Sequence, residues 1–256
     1  MTSGWNQDQP PISPYQAYLE ESHSPIVSLI FTLPLFLAYH LGIWAIQKLE
    51  NAPWANGADR LLAVLLTKFG VSGPLLSLCF VVTVLLIWQQ ASGRPWRVRG
   101  ITLLIMFLES CFFSLPPFLL GKVVRHALMS AGADAGLPVH INLVLSLGAG
   151  VYEEFFFRML LLSFLLFVFG TLFRLEGFRL YFTAVLVQAF LFALFHHLPG
   201  SPERLDLLSR DFWQAFAFRT LAGVYFAHLY HERGFGIAAG SHAAYDVIAV
   251  TLNAFR

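Results

Sequence analysis

A few ionisable side chains lie inside apolar stretches of this chain at spacings that would let them act together. Glu153, Glu154 and Arg158 interrupt the run from Ile141 to Phe173. Four residues apart, Glu154 and Arg158 share a helix face in the order that favours an ion pair. Glu153 is turned about 100° away and has no such partner on its own helix. Charges at membrane depth are costly and usually face a partner or a wet cavity. Glu154–Arg158 therefore reads as a brace and Glu153 as a free carboxylate. An ion cluster that only fixes packing is the bland alternative, and it leaves one of two acids uncompensated.

Two further stretches carry matching chemistry. Gln188, Phe192 and His196 fall at i, i+4 and i+8 of the run Leu180 to His197, on one helix stripe. His197 faces elsewhere and reads as a dipole-stabilised surface residue at a helix C-terminus. In the last run, Phe235 to Phe255, His242 and Asp246 are four apart among Gly236, Ala238, Ala239, Gly240, Ser241, Ala243 and Ala244. Such small residues let helices approach closely. There a His–Asp pair is either helix–helix glue or part of a site.

A carboxylate and an imidazole can together deprotonate a water, which is general-base catalysis. His242 and Asp246 could stabilise charge developing on a carbonyl oxygen. Alternatively, Glu153, His196 and His242 could ligate zinc and leave a position open for water. The spacing differs from the H-E-x-x-H helix of soluble zinc proteases. The residues support water activation without deciding whether a metal takes part.

The elements that must position these groups are membrane helices. Of 256 residues, 57% are hydrophobic and 12% charged, with mean hydropathy +0.66; a soluble domain carries about 25% charged residues. The expected fold is an all-α, polytopic membrane helical bundle of seven or eight transmembrane helices. Residues 1–24 would form an interfacial or loose arm, and 25–256 a single membrane domain. A net charge of +1 gives no reason to expect nucleic-acid binding. Cys79 and Cys111 lie in apolar runs and read as packing residues rather than a disulfide or metal pair.

In chain order, Ile26–Ile46 is the first span, and Asn51–Gly57 a loop. Leu61–Phe69 is short, and Gly70–Pro74 separates it from Leu75–Trp88, so one broken span or two pieces fit equally. Ile101–Leu120 carries Glu109 and a kink signal at Pro116-Pro117. Lys122–His140 is a polar connection, and the motif runs follow. Leu198-Pro199-Gly-Ser-Pro202 is a stop signal, Phe212–Tyr230 a span containing Arg219, and His231–Gly234 a tight turn. If Leu61–Trp88 is one span, strict alternation places loops 91–99 and 174–179 on one side. The charge bias is too weak to fix orientation.

E-x-x-x-R with its preceding Glu (Glu153–Arg158), F-x-x-x-H (Phe192–His196) and H-x-x-x-D (His242–Asp246) resemble the three motifs of the CAAX-protease and bacteriocin-processing family. Those are intramembrane endopeptidases related to the Ras-converting CAAX endopeptidase. The resemblance covers residues 141–255; the first 140 match only as generic membrane helices. It implies an eight-helix core with a conical cavity. By that likeness Glu153 and His196 activate the water, His242 and Asp246 form the oxyanion site, and Glu154, Arg158 and Phe192 support them. The third motif often ends in Asn. An ionised Asp246 can only accept hydrogen bonds, so orienting His242 is the better-supported job for it. With two histidines in the motifs, the metal-free form is expected over the zinc form.

The expected function is an intramembrane endopeptidase, multi-pass in a bacterial inner membrane. Its partners would be the lipid bilayer and a membrane-anchored protein or peptide: a lipid-modified C-terminus, a leader, or a C-terminal sorting helix of the kind handled by myxosortases. A non-catalytic scaffold or self-immunity protein with the same fold is the alternative. An ion-coupled transporter ranks last, since the chain lacks internal symmetry.

Overall fold

The computed structural model describes residues 13–73, 75–128, 137–198 and 205–254. Residues 1–12 of the arm and the stop signal at 199–202 lie outside the described residues. What the structure describes is helical throughout, without a strand.

A short helix, α1 (Pro14–Ser22), precedes the first span. Ser13 opens it with a capping box: its hydroxyl accepts from the Gln16 N–H, and the Gln16 side chain reaches back to the Ser13 N–H. Pro25, tolerated because it begins the next helix, leads into α2 (Pro25–Glu50), which ends on Asn51 in the left-handed region. The ambiguous second stretch resolves into two helices. α3 (Gly57–Thr67) is capped by the Asn56 side chain, and α4 (Leu76–Ser92) begins after a turn that uses positive φ at Gly70, Gly73 and Leu75. The kink expected in the third run falls just ahead of Pro116-Pro117. α5 (Gly100–Phe113) stops there and α6 (Leu115–Leu128) continues the same apolar rod.

The motif half begins with α7 (Val139–Gly148). It passes directly into a π-helix, Ala149–Leu162, and returns to α-helix in α8 (Ser163–Thr171). α9 (Gly177–Phe195) follows, then α10 (Arg210–Ala254). α10 is a hairpin of two helical arms. His242 stacks on Phe226 with ring centroids 4.6 Å apart, whereas sixteen residues of straight helix would separate them by about 24 Å. The reversal occurs at Gly234, whose φ of 79° and ψ of 177° suit a residue without a Cβ. Residues 231–233 stay helical, so the turn is tighter than the sequence suggests.

Among the described residues, five helical rods are long and apolar enough to cross a membrane: Pro25–Glu50, Gly100–Val124, Val139–Thr171, Gly177–Phe195 and the α10 hairpin. The hairpin supplies two arms, and α4 is a shorter apolar helix. Leu41, Trp44, Ile87, Phe107, Phe112, Phe167 and Phe190 project outward. So much exposed apolar surface on several helices suits lipid, not water. Cys79 and Cys111 are also exposed and unbonded, which corrects their reading as packing residues.

One end of the bundle gathers α1, loop 93–99 and the Gly234 bend. Arg94 donates to the Glu20 carbonyl at 3.1 Å, Arg99 pairs with Glu21, and His23 packs against Gly234. Tyr181, near the start of α9, meets His231 at 4.8 Å, so loop 172–176 shares that end. Loops 93–99 and 172–176 therefore lie at the same end of the bundle. Buried Tyr39, Phe36, Tyr152, Phe155 and Phe235 form the apolar centre between α2, α4, the π-helix and α10.

Candidate active site

The π-helix sets the site. π-Turns are rare and frequent at functional positions, and this one carries Glu153, Glu154 and Arg158, all buried. Its wide turn changes the side-chain directions assumed for an α-helix: Glu153 and Glu154 both point inward. Gly150 lets the second arm of α10 approach. A Cβ there would stand 2.5 Å from the Ala243 Cβ and 2.8 Å from the Ala239 carbonyl oxygen. Gly223 likewise brings the first arm of α10 against Ala189 of α9, a Cβ there lying 3.0 Å from it. Small residues at both crossings thus draw three helices together.

The convergence expected from the sequence is present. Glu153 Oε2 lies 3.5 Å from His196 Nε2 and 4.0 Å from His242 Nε2. His242 Nε2 is 3.5 Å from Asp246 Oδ2. His196, at the C-cap of α9, donates from Nδ1 to the Phe192 carbonyl at 2.8 Å, since a carbonyl can only accept. Nε2 is then the ring nitrogen that faces Glu153. Phe192 stands edge-on to His196 at 4.8 Å.

Glu154 does more than brace Arg158. Its Oε1 lies 3.2 Å from Arg158 Nη1 and 2.6 Å from His242 Nδ1. Glu154 makes the tighter contact to His242, on the ring nitrogen opposite the one that Asp246 faces. Arg158 is fully buried, and its nitrogens make no well-aligned hydrogen bond. The guanidinium lies 4.2 Å over the Phe192 ring and 5.6 Å from the Phe226 ring. Cation–π attraction is strongest when desolvated, so charge and ring faces hold it together.

The other sequence candidates separate. Gln188 is fully buried on α9, about two turns from His196. His197 is buried too, its ring 4.6 Å from that of Phe212, and this overturns its reading as a surface residue. Helix-end position alone misled there, because the segment opening α10 covers it. Glu109 pairs with Arg233 at 2.6 Å and accepts from Tyr18 at 2.9 Å, away from the site. Arg219 acts electrostatically on Asp246. Tyr152 packs edge-on to Phe36 and Tyr39, and its hydroxyl meets His40 Nε2 at 2.7 Å, a partnership that sequence spacing did not reveal.

Sequence reasoning also missed Asn56. Its amide donates to Glu153 Oε1 at 3.2 Å from a stretch read only as a loop. An Asn before a helix start is an ordinary cap, so nothing in the sequence tied it to Glu153.

The zinc alternative asks for three convergent donors. Each histidine engages Nδ1, with Phe192 or Glu154, and turns Nε2 toward the same carboxylate oxygen, an arrangement that metal-ligating histidines also use. Among the described residues no group of three His, Cys, Asp or Glu side chains is arranged to hold a metal ion.

With this geometry in place, the comparison with known families is specific. Residues 135–248 match the family described as type II CAAX prenyl endopeptidase Rce1-like. The chain carries a CAAX-protease family domain. The match spans the π-helix, α9 and most of the α10 hairpin, and so all three motifs. No curated protein and no solved structure matches the chain. The CAAX-protease family is one of membrane proteases, and the apolar rods agree with an integral membrane protein.

Proposed function

We propose that this protein is a glutamate-type intramembrane endopeptidase that cuts a peptide bond beside a membrane anchor. The observation that carries the reading is the approach of both imidazole Nε2 atoms to one oxygen of Glu153, at 3.5 and 4.0 Å.

A water about 2.8 Å from both Glu153 Oε2 and His196 Nε2 fits the geometry of a 3.5 Å gap. Both atoms accept, so both water hydrogens are engaged and an oxygen lone pair is left for a carbonyl carbon. On attack, the proton passes to Glu153, or to His196 Nε2, and the carbonyl becomes a tetrahedral oxyanion. The same acid then returns the proton to the departing amide nitrogen as the C–N bond breaks.

His242 is the proposed oxyanion donor. Because Nδ1 donates to Glu154, Nε2 can donate only when the ring carries both protons. The carboxylates of Glu153, Glu154 and Asp246 surround the ring and offset that positive charge. Asp246 acts on this ring rather than on the oxyanion.

The family description points to substrates with a lipid-modified C-terminus; leader peptides and C-terminal sorting helices share the same chemistry of a scissile bond next to an anchor. The test uses an internally quenched farnesylated peptide ending in a CAAX sequence, cut by purified protein in liposomes. Cleavage is expected to survive a chelator, and to fall by about a thousandfold or more in Glu153→Gln and His196→Ala, since base and water activation go together. Native protein and folded Glu153→Gln giving equal cleavage or none would favour a non-catalytic scaffold. Loss of activity to chelator, restored by zinc, would overturn the metal-free form.

A further inference from the structure

We propose that Asn56 is a positioning residue for Glu153, holding the carboxylate so that Oε2 faces the histidines. The inference rests on Glu153 being the base. Asn56 precedes α3, and its two amide atoms do different jobs. Oδ1 accepts the Ala58 N–H at 2.9 Å, which caps the helix. That bond fixes which way the amide points and turns Nδ2 to Glu153 Oε1 at 3.2 Å. With Oε1 held there, the remaining oxygen, Oε2, meets His196 and His242.

Capping alone would not select asparagine. Serine and aspartate cap a helix about as well, but serine is too short to span to Glu153 and aspartate cannot donate. Only asparagine accepts from the helix and donates to the carboxylate at once. The surroundings keep it in place: the Asn56 N–H donates to the Tyr39 hydroxyl at 2.9 Å, and that hydroxyl donates to Asp59 at 2.8 Å. Tyr39 is fully buried and Asn56 nearly so. The first half of the chain, beyond the family match, thereby supplies a part of the site.

The experiment compares Asn56→Ser and Asn56→Asp, which keep the cap, with the native protein and Glu153→Gln. Three readouts are taken on the full chain: thermal unfolding in detergent, kcat and KM for the farnesylated peptide, and the rate at which dicyclohexylcarbodiimide modifies Glu153, followed by mass spectrometry. Expected in Asn56→Ser are an unfolding midpoint close to native, kcat down by about tenfold to a hundredfold with KM within about twofold, and severalfold faster modification of Glu153; Asn56→Asp sets a second carboxylate against Glu153, so its kcat falls at least as far and its midpoint drops. Native kcat and native modification rate in both variants, with Glu153→Gln inactive, would overturn the positioning role and leave the proposed function standing. A lower midpoint with unchanged modification rate in Asn56→Ser would overturn it as merely structural. If the native protein shows no Glu153-dependent cleavage, the proposed function fails instead, and the modification rate alone decides Asn56.

Discussion

Glu154 Oε1 lies 2.6 Å from His242 Nδ1, and the same oxygen lies 3.2 Å from Arg158 Nη1, all three side chains being buried. One carboxylate thus fixes a ring on α10 and neutralises a guanidinium on its own helix. Removing one partner of a buried pair leaves an uncompensated charge, at a cost of about 3–5 kcal/mol. Glu154→Gln should therefore destabilise by about that amount, read as a large drop in the unfolding midpoint in detergent. Asp246 is a quarter exposed, with its side chain 26% accessible, and stands 3.5 Å from the ring. Asp246→Asn should stay folded, with a midpoint shift corresponding to about 1 kcal/mol or less, and keep measurable peptidase activity. An equal loss of stability in the two variants would contradict this division.

Gly150 governs how closely the π-helix meets α10. An added Cβ would stand 2.5 Å from the Ala243 Cβ and 2.6 Å from the Ala243 nitrogen, and backbone cannot step aside as a flexible side chain can. Gly150→Ala should cost about 1–3 kcal/mol by overpacking. It should also widen the gap between Glu153 and His242, so kcat falls even at temperatures where the protein is fully folded. Thermal unfolding together with kcat on the quenched peptide checks both; native values for each would show that the helices can separate freely.

Much of this architecture is legible in the sequence, for physical reasons. The apolar runs mark the spans, and Gly–Pro signals mark their ends. Charged residues are so costly in lipid that Glu153, His196, His242 and Asp246 stand out and do converge. What escapes is what depends on backbone type or on contacts distant in the chain. The π-turn of Ala149–Leu162 is invisible to a periodicity argument that assumes 3.6 residues per turn. Glu154's bond to His242 spans 88 residues, and Asn56's to Glu153 spans 97. No local pattern encodes either. His40 belongs to no local motif for the same reason, its partner Tyr152 lying 112 residues away.

The α1 clamp should respond to acid. Partial burial raises the Glu21 carboxyl, but hydrogen bonds from Arg99 and Thr102 outweigh that and hold it below the usual carboxylate range. The ordinary value is about 4.3. A carboxyl lowered on folding contributes fully above its unfolded value, and that contribution disappears as pH falls through the lower folded value. Glu21→Gln should therefore unfold more easily than the native protein at pH 6–7, and the two should converge below about pH 4. Midpoints measured across that range are the check; a difference that persists at the acid end would mean that the clamp does not act through the Glu21 charge.

Tyr39 links the start of α3 to the core. Its hydroxyl accepts from the Asn56 N–H and donates to Asp59, and the ring is fully buried. Tyr39→Phe keeps the ring contacts with Tyr152 and leaves the buried Asn56 N–H and the half-buried Asp59 carboxylate without their partner. An unsatisfied buried group costs about 1–3 kcal/mol, so the unfolding midpoint should drop moderately. Asn56 would lose one of the contacts that hold its backbone, so its amide should bear on Glu153 less reproducibly. The expected kinetic signature is a reduced kcat with nearly native KM, smaller than in Asn56→Ser because the Asn56 amide that donates to Glu153 remains. Combining Tyr39→Phe with Asn56→Ser should then add little to the kcat loss of Asn56→Ser alone. Fully additive losses in that double-mutant cycle would mean that Tyr39 reaches the site by another route.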